Sequence, residues 1–281
     1  MKRIGIFYHP LKEAACVLAR EVTEYLRNRR LAVWLVSAWD WERGKQQVDG
    51  TDLVLSIGGD GSILRAAQAV VPRPIPLVGV NLGRLGFMTE LSVSETLEKL
   101  PLLLDGQGSV DERSLLLAEF QTAAASEPRK FYALNDVVVA RGGTARLVNI
   151  DASINGERLT TYRADGAVLA TATGCTGYSL AAGGPILHPQ SSDFVLVPIL
   201  PHLSYGYPMV LPPTSVCKLA LGMPTPGILS IDGHISMDLA CGDTVTVKHS
   251  PDTVKFLRIH DTPFYGSLEQ RLKGKQPDNA R

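Results

Sequence analysis

The chain has 281 residues, 45% of them hydrophobic and 20% charged, enough to bury a large core and to form two domains. Its 28 basic residues balance 28 acidic ones, which argues against a nucleic-acid partner or an electrostatic membrane anchor. Cys16, Cys175, Cys217 and Cys241 share no C-x-x-C spacing, so most are expected to be core thiols in a reducing compartment rather than a zinc site. No apolar run reaches the ~20 residues of a membrane span, and MKRIGIFYHP is too short for a signal sequence, so a cytoplasmic protein is expected.

From the N-terminus, RIGIFYH predicts a strand. Over residues 11–30 the apolar positions Ala14, Val17, Leu18, Val22, Tyr25 and Leu26 recur at helical spacing. LAVWLVS and DLVLSI read as the second and third strands, ILRAAQAVV as a helix, and PLVGVNLG as the fourth strand. This alternation predicts an α/β domain with a parallel sheet. Near residues 105–109 the pattern changes to strands and turns, which continue to about residue 259. The expected organisation is an α/β domain over residues 1–106, a β-rich domain over 107–259, a helix over 260–273 returning to the first domain, and a disordered tail over 274–281.

The third strand runs into SIGGDGS at residues 56–62. The loop is neither a P-loop nor a G-x-G-x-x-G fingerprint. In one reading Asp60 or Ser62 caps the following helix and the glycines only make a tight turn. In the other, backbone N–H groups at the carboxyl end of a parallel strand hold phosphates. Gly58, Gly59 and Gly61 then form the cradle, and Asp60 acts as general base toward a hydroxyl or as a metal contact. Arg65, one turn further, reads either as a phosphate contact or as a solvated helix arginine. Residues 165–189, DGAVLATATGCTGYSLAAGGPILHP, are rich in small and hydroxyl residues. Thr173 and Thr176 offer hydroxyls to a flat polar ligand and Tyr178 a stacking face.

Taken in order, GGDGSILRA, NLGRLGF at residues 81–87, LNDVVV at 134–139 and DGAVLATATGCTGYSLAAGGP resemble the NAD kinase family over most of the chain. The G-G-D-G loop alone is also similar to that of diacylglycerol, sphingosine and 6-phosphofructo-kinases. The resemblance implies a two-domain, NAD kinase-like architecture with a parallel-sheet α/β domain and a β-rich domain. It implies transfer of the γ-phosphoryl group of ATP, or of polyphosphate in some members, to the 2′-hydroxyl of the adenosine ribose of NAD. A divalent cation, Mg²⁺ first, is the implied cofactor, with no ligand set assigned, and a homodimer or homotetramer is the implied assembly.

Carried over by position, Asp60 matches the general base and Gly61 its neighbour at the phosphates. Phe87 matches an aromatic lining the dinucleotide site, and Asn135 and Asp136 the pair that binds the dinucleotide. Asp165 matches a carboxylate at the nicotinamide end, with Arg163 near it, in a region that a neighbouring subunit can supply. Thr173, Thr176, Gly177 and Tyr178 match the nucleotide cradle. His202 and Asp232 fall in family-like segments, and a structural role suits His202 better. Where the family commonly reads G-S-T-A-Y-S-L-S-A-G-G-P, this chain has Cys175, Gly177 and Ala181. Ala181 removes a hydroxyl facing the dinucleotide, a hydrogen bond of about 0.5–1.5 kcal/mol. A lipid kinase using the same loop lacks any interfacial helix in the sequence. A non-catalytic dinucleotide sensor would have no use for Asp60.

Overall fold

The computed structural model describes residues 1–83, 86–123, 125–143, 146–203, 205–222, 225–261 and 263–273. The tail expected over 274–281, and Arg84 and Leu85 of NLGRLGF, lie outside the described residues. Contacts divide the chain into one unit of Met1–Glu112 with Thr253–Arg281 and a second of Arg113–Asp252.

The first unit runs β1 (Arg3–Tyr8), α1 (Glu13–Asn28), β2 (Ala32–Ser37), α2 (Trp41–Lys45), β3 (Leu53–Ile57), α3 (Asp60–Val70), β4 (Leu77–Val80), β5 (Thr89–Leu91) and α4 (Val93–Leu104). The strands pair in parallel in the order β2-β1-β3-β4, with β5 added to β4. β3 and β4 are buried along their whole length, which is why DLVLSI and PLVGV read as unbroken apolar runs rather than alternating ones. α1 packs Ala15, Leu18, Ala19, Val22 and Leu26 against Ile4, Ile6, Leu55 and Ile57. The buried stripe is therefore turned from the one expected: Val17 is exposed, one residue, or about 100° of helix, from Leu18.

Helix α4 has no counterpart among the expected elements. Its start is written in the sequence all the same: Ser92 Oγ accepts from the Glu95 N–H at 3.3 Å, and the Glu95 carboxylate accepts from the Ser92 N–H at 3.0 Å. This reciprocal pair is the S-x-x-E capping box. The helix then buries Leu100 and Leu103.

The second unit is built on antiparallel strands. After β6 (Ser109–Gln121) come β7 (Arg129–Ala133), β8 (Asp136–Arg141), β9 (Val148–Ile154), β10 (Glu157–Ala164) and β11 (Gly166–Thr171). A short helix α5 (Tyr178–Ala181) precedes β12 (Phe194–Ile199), β13 (Met209–Leu211), β14 (Val216–Leu221), β15 (Gly227–Ile231), β16 (Ile235–Leu239) and β17 (Thr244–Arg258), and α6 (Phe264–Lys273) closes the chain. β6 and β17 are long enough to belong to both units. One sheet has the order β13-β12-β11-β8-β15-β16, and β10-β9-β14-β17 form another set of neighbours. The central strands are buried on both faces. Val137, Val139, Ala167 and Leu169 enter the main core, while Val138, Val168 and Ala170 enter a second cluster on the other face. This period-2 division places polar chemistry at strand ends, where the sheet stops.

Ser92→Ala removes the acceptor for the Glu95 N–H and should lower stability by about 0.5–2 kcal/mol. A denaturant titration would show a lower midpoint with an unchanged slope.

Candidate functional site

Six of the sequence positions proposed for chemistry line two cavities, one in each unit: Gly59, Gly61 and Arg65 in the first, and Asn135, Asp136 and Tyr178 in the second. The first holds about 240 Å³ and is lined by His9, Pro10 and Lys12 after β1, by Ala38 and Trp39 after β2, and by Gly59, Gly61, Ser62 and Arg65 after β3. It lies at the carboxyl ends of three adjacent parallel strands, where the order 2-1-3-4 reverses between β1 and β3. That is the place where open parallel sheets leave a crevice. The His9 and Trp39 rings meet edge to face at 4.5 Å, and the Arg65 guanidinium lies 6.0 Å from the Trp39 ring centre. Burial, followed by the charge of Lys12, holds the His9 imidazole below its ordinary pKa.

The N-terminus of α3 opens on this cavity. Its N-cap is Gly59 in extended conformation, with no side-chain cap among the described residues, and apart from chain neighbours and the helix's own backbone no described atom lies within 4 Å of where a Cβ on Gly59 or Gly61 would stand. Of the two readings of the loop, capping of the helix by Asp60 or Ser62 is not the arrangement found. The Asp60 carboxylate reaches the segment after β4, where Oδ2 accepts from the Phe87 N–H at 2.9 Å and Oδ1 from the Met88 N–H at 3.2 Å. A Cβ on Gly86 would run into that carboxylate, so only glycine lets the segment come this close. None of Gly58, Gly59 and Gly61 has a positive φ; bare backbone, not left-handed geometry, is what the loop uses them for.

The second cavity, about 390 Å³, is lined by Asn135, Asp136, Val138, Tyr178, Ser230, Asp232 and Gly233. Asp232, at φ 49°, organises it. Its carboxylate accepts from the N–H groups of Leu134 at 2.9 Å, Asn135 at 2.7 Å and Asp136 at 3.1 Å, and its own N–H donates to the Asp136 carbonyl at 2.9 Å. Thr171, at the end of β11, ties the following turn to the same segment. Its hydroxyl donates to the Leu134 carbonyl at 2.6 Å and accepts from the N–H groups of Thr173 and Gly174. Gly174 packs against the Asn135 backbone where a Cβ would clash. The buried Asn135 Oδ1 has no hydrogen-bond partner among the described residues, an acceptor suited to a bound ligand. Tyr178 presents a half-exposed ring to the cavity.

Matches to known proteins converge on one family. Residues 36–108 match the model for the ATP-NAD kinase N-terminal domain and residues 134–259 that for the ATP-NAD kinase C-terminal domain. An NAD kinase of Dehalococcoides mccartyi is 47% identical over 97% of this chain and 96% of its own length, and one of Chloroflexus aggregans is 38% identical over 97% and 99%. The chain belongs to the NAD kinase family. The fold agrees: yeast NADH kinase, solved with NADH, superposes with a TM-score of 0.82 over 100% of this chain and 89% of its own at 24% identity. An NAD kinase from Archaeoglobus fulgidus, solved with ATP, gives 0.77 over 98% and 100% at 23% identity.

Against the NAD kinase motifs, the structure divides the predicted residues. Gly58, Gly59, Asp60, Gly61, Arg65 and Phe87 lie in the first unit. Asn135, Asp136, Thr173 and Tyr178 gather at one end of β11; Thr173 is buried and receives a bond from the buried Arg113 guanidinium at 3.3 Å. Thr176 donates to the Thr173 carbonyl at 3.4 Å, Gly177 joins the turn to α5, and Ala181 ends α5 exposed. Arg163 and Asp165 lie at the other end, because β8 and β11 run antiparallel with Asp136 opposite Ala170 and Ala140 opposite Gly166. That is roughly 15 Å of strand. Asp165 pairs with Arg141 at 2.8 Å, and Arg163 is exposed. Cys175 does not face the open side of its turn; it is fully buried, accepts from the Leu187 N–H at 3.1 Å, and burial pushes its thiol pKa up. Thr171, Arg113 and Arg141 belong to no motif that singles them out in the sequence, and Asp232 lies in a family-like segment that assigns it no role.

Burial, and then the Asp232 carboxylate, push the Asp136 carboxyl from its ordinary 3.8 to about 7. Ionising Asp136 therefore costs more in the folded chain than in the unfolded one, so stability is fully present below about pH 4 and is lost as pH rises through 7. Asp136→Asn removes this loss. The melting temperature of the variant relative to the native chain should rise between pH 5 and pH 8, and an equal offset at both would contradict the assignment.

Proposed function

We propose that the chain transfers the γ-phosphoryl group of ATP to the 2′-hydroxyl of the adenosine ribose of NAD, giving NADP. The observation that carries this reading is the uncapped N-terminus of α3 beside the Asp60 carboxylate, at the carboxyl ends of parallel strands. Helix N–H groups and bare glycine backbone hold phosphate without a lysine. Lys12 and Arg65 add positive charge to the same cavity.

In this mechanism the protein supplies positioning and charge rather than covalent chemistry. The donor's phosphates rest on Gly59 and Gly61. The acceptor is held by the Asn135 amide oxygen, by Asp136 toward ribose hydroxyls, and by the Tyr178 ring. Asp60 takes the proton from the attacking hydroxyl; each of its oxygens accepts one backbone N–H and keeps a second lone pair for that bond. Among the described residues no three His, Cys, Asp or Glu side chains converge as a metal site. A single carboxylate beside a phosphate cradle suits Mg²⁺, which takes one or two protein carboxylates and completes its shell with phosphate and water. Asp60 is the residue that would hold it, and the ion would neutralise charge on the phosphates. Free thiols at Cys16, Cys175, Cys217 and Cys241 support a reducing, cytoplasmic setting.

Asp60→Asn preserves size and one acceptor while removing the charge. It should lower kcat by about 10²–10⁴-fold in a coupled assay for NADP, with the Kd for NAD little changed. Retention of more than about a tenth of kcat would exclude the catalytic role. The same assay, crossing NAD and NADH with ATP and polyphosphate, defines the donor and acceptor.

We further propose a homo-oligomer in which Arg163 and Asp165 complete a neighbour's site. Their separation from Asn135 and Asp136 within one chain supports this. Light scattering should give two or four times 30.3 kDa; a fully active monomer would rule it out.

A further inference from the structure

The segment Gly86–Phe87–Met88 offers its N–H groups to Asp60, and its carbonyls point to a second partner. Arg271, in the last turn of α6, donates from Nη1 to the Gly86 carbonyl at 2.9 Å and to the Phe87 carbonyl at 3.0 Å. Its Nε donates to Ser267 Oγ one turn earlier, at 2.9 Å, which fixes the guanidinium, and its charge lies 6.0 Å from the Phe87 ring centre. Ser267 Oγ donates in turn to the Pro263 carbonyl at 2.9 Å. The next carbonyls, of Met88 and Thr89, receive Arg258 Nη1 at 3.1 and 3.3 Å.

We infer that Arg271 is a positioning residue for phosphoryl transfer, acting through the Gly86–Met88 backbone on the Asp60 carboxylate. The inference rests on the catalytic reading of Asp60 given above. Its physical basis is a hydrogen-bonded series: a cation on a peptide carbonyl polarises that peptide and strengthens the N–H at its other end. The peptide joining Gly86 to Phe87 has its carbonyl on Arg271 and its N–H on Asp60 Oδ2. The peptide joining Phe87 to Met88 has its carbonyl on the same nitrogen and its N–H on Asp60 Oδ1. One guanidinium nitrogen thus orders both donors that aim the carboxylate. A side chain 211 residues along the chain from Asp60 sets where the base points, and a misaimed base loses rate before it loses substrate affinity.

The geometry makes a specific demand. Because one nitrogen makes both carbonyl bonds, a lysine ammonium can replace it, whereas a neutral side chain of similar length cannot. In the full-length chain, Arg271→Met should lower kcat for NADP formation about ten- to a hundredfold while KM for NAD and for ATP stays within about twofold, and Arg271→Lys should recover most of the loss. In an Asp60→Asn background Arg271→Met should add less than about twofold, since there is no charged base left to aim. A full multiplicative loss there, or Arg271→Met with native kcat, overturns the inference. If Arg271→Met does not fold, Ser267→Ala, which frees the guanidinium from its anchor, must lower kcat in the same selective way, and failure to do so overturns it. If Asp60→Asn itself keeps its rate, the catalytic reading has failed. The clamp is then judged by hydrogen exchange at the Phe87 and Met88 amides, which Arg271→Met must accelerate if Arg271 orders them; unchanged exchange overturns it.

Discussion

A backbone N–H taken out of water needs an acceptor, and in this chain two aspartates meet that need for the loops that build the candidate sites. Asp232 collects the N–H groups of Leu134, Asn135 and Asp136; Asp60 collects those of Phe87 and Met88. In each case the side chain comes from a distant part of the sequence. Apart from Asp136, the first residue of β8, the residues they hold lie outside helix and strand. Carboxylates suit this duty because a single group accepts several bonds at once, and each is stronger for the charge.

The two aspartates differ in what the duty leaves over. Asp232 is buried, with three N–H bonds to stabilise its charge, and it raises the cost of a second negative charge on Asp136. Asp60 is only half-buried, accepts two bonds, and stands beside open backbone. It therefore combines a fixed direction with remaining acceptor capacity, the combination a positioned base requires. Glycine sets the approach in both places: Gly86 against the Asp60 carboxylate and Gly174 against the Asn135 backbone.

Much of this architecture was legible beforehand. Strands β1 to β4 and helices α1 and α3 followed from apolar runs and their periods, because both depend only on neighbours within a few residues. The loop after β3 stood out because three glycines and one aspartate are an unusual composition at a strand end. Helix α4 is absent from the expected elements, although Ser92 and Glu95 announce its start. The shifted buried face of α1 was harder to see, since Ala14 and Ala15 are alike to any pattern and only the sheet beneath decides which one is covered. The departures at Cys175, Gly177 and Ala181 resolved unequally: Cys175 is core, Gly177 serves a turn, and Ala181 is exposed.

By itself the sequence determined the order of elements, the family and the residues around which chemistry is organised, because motif, composition and period are local properties. Tertiary structure alone decided which side chain answers which. That Asp60 is bound by Phe87 and Met88 instead of capping its own helix, that Asp165 pairs with Arg141, and that Arg271 reaches the loop holding Asp60 are contacts across 24 to 185 residues of chain. No local pattern encodes such pairs; they exist only once the sheet has brought the loops within hydrogen-bond reach.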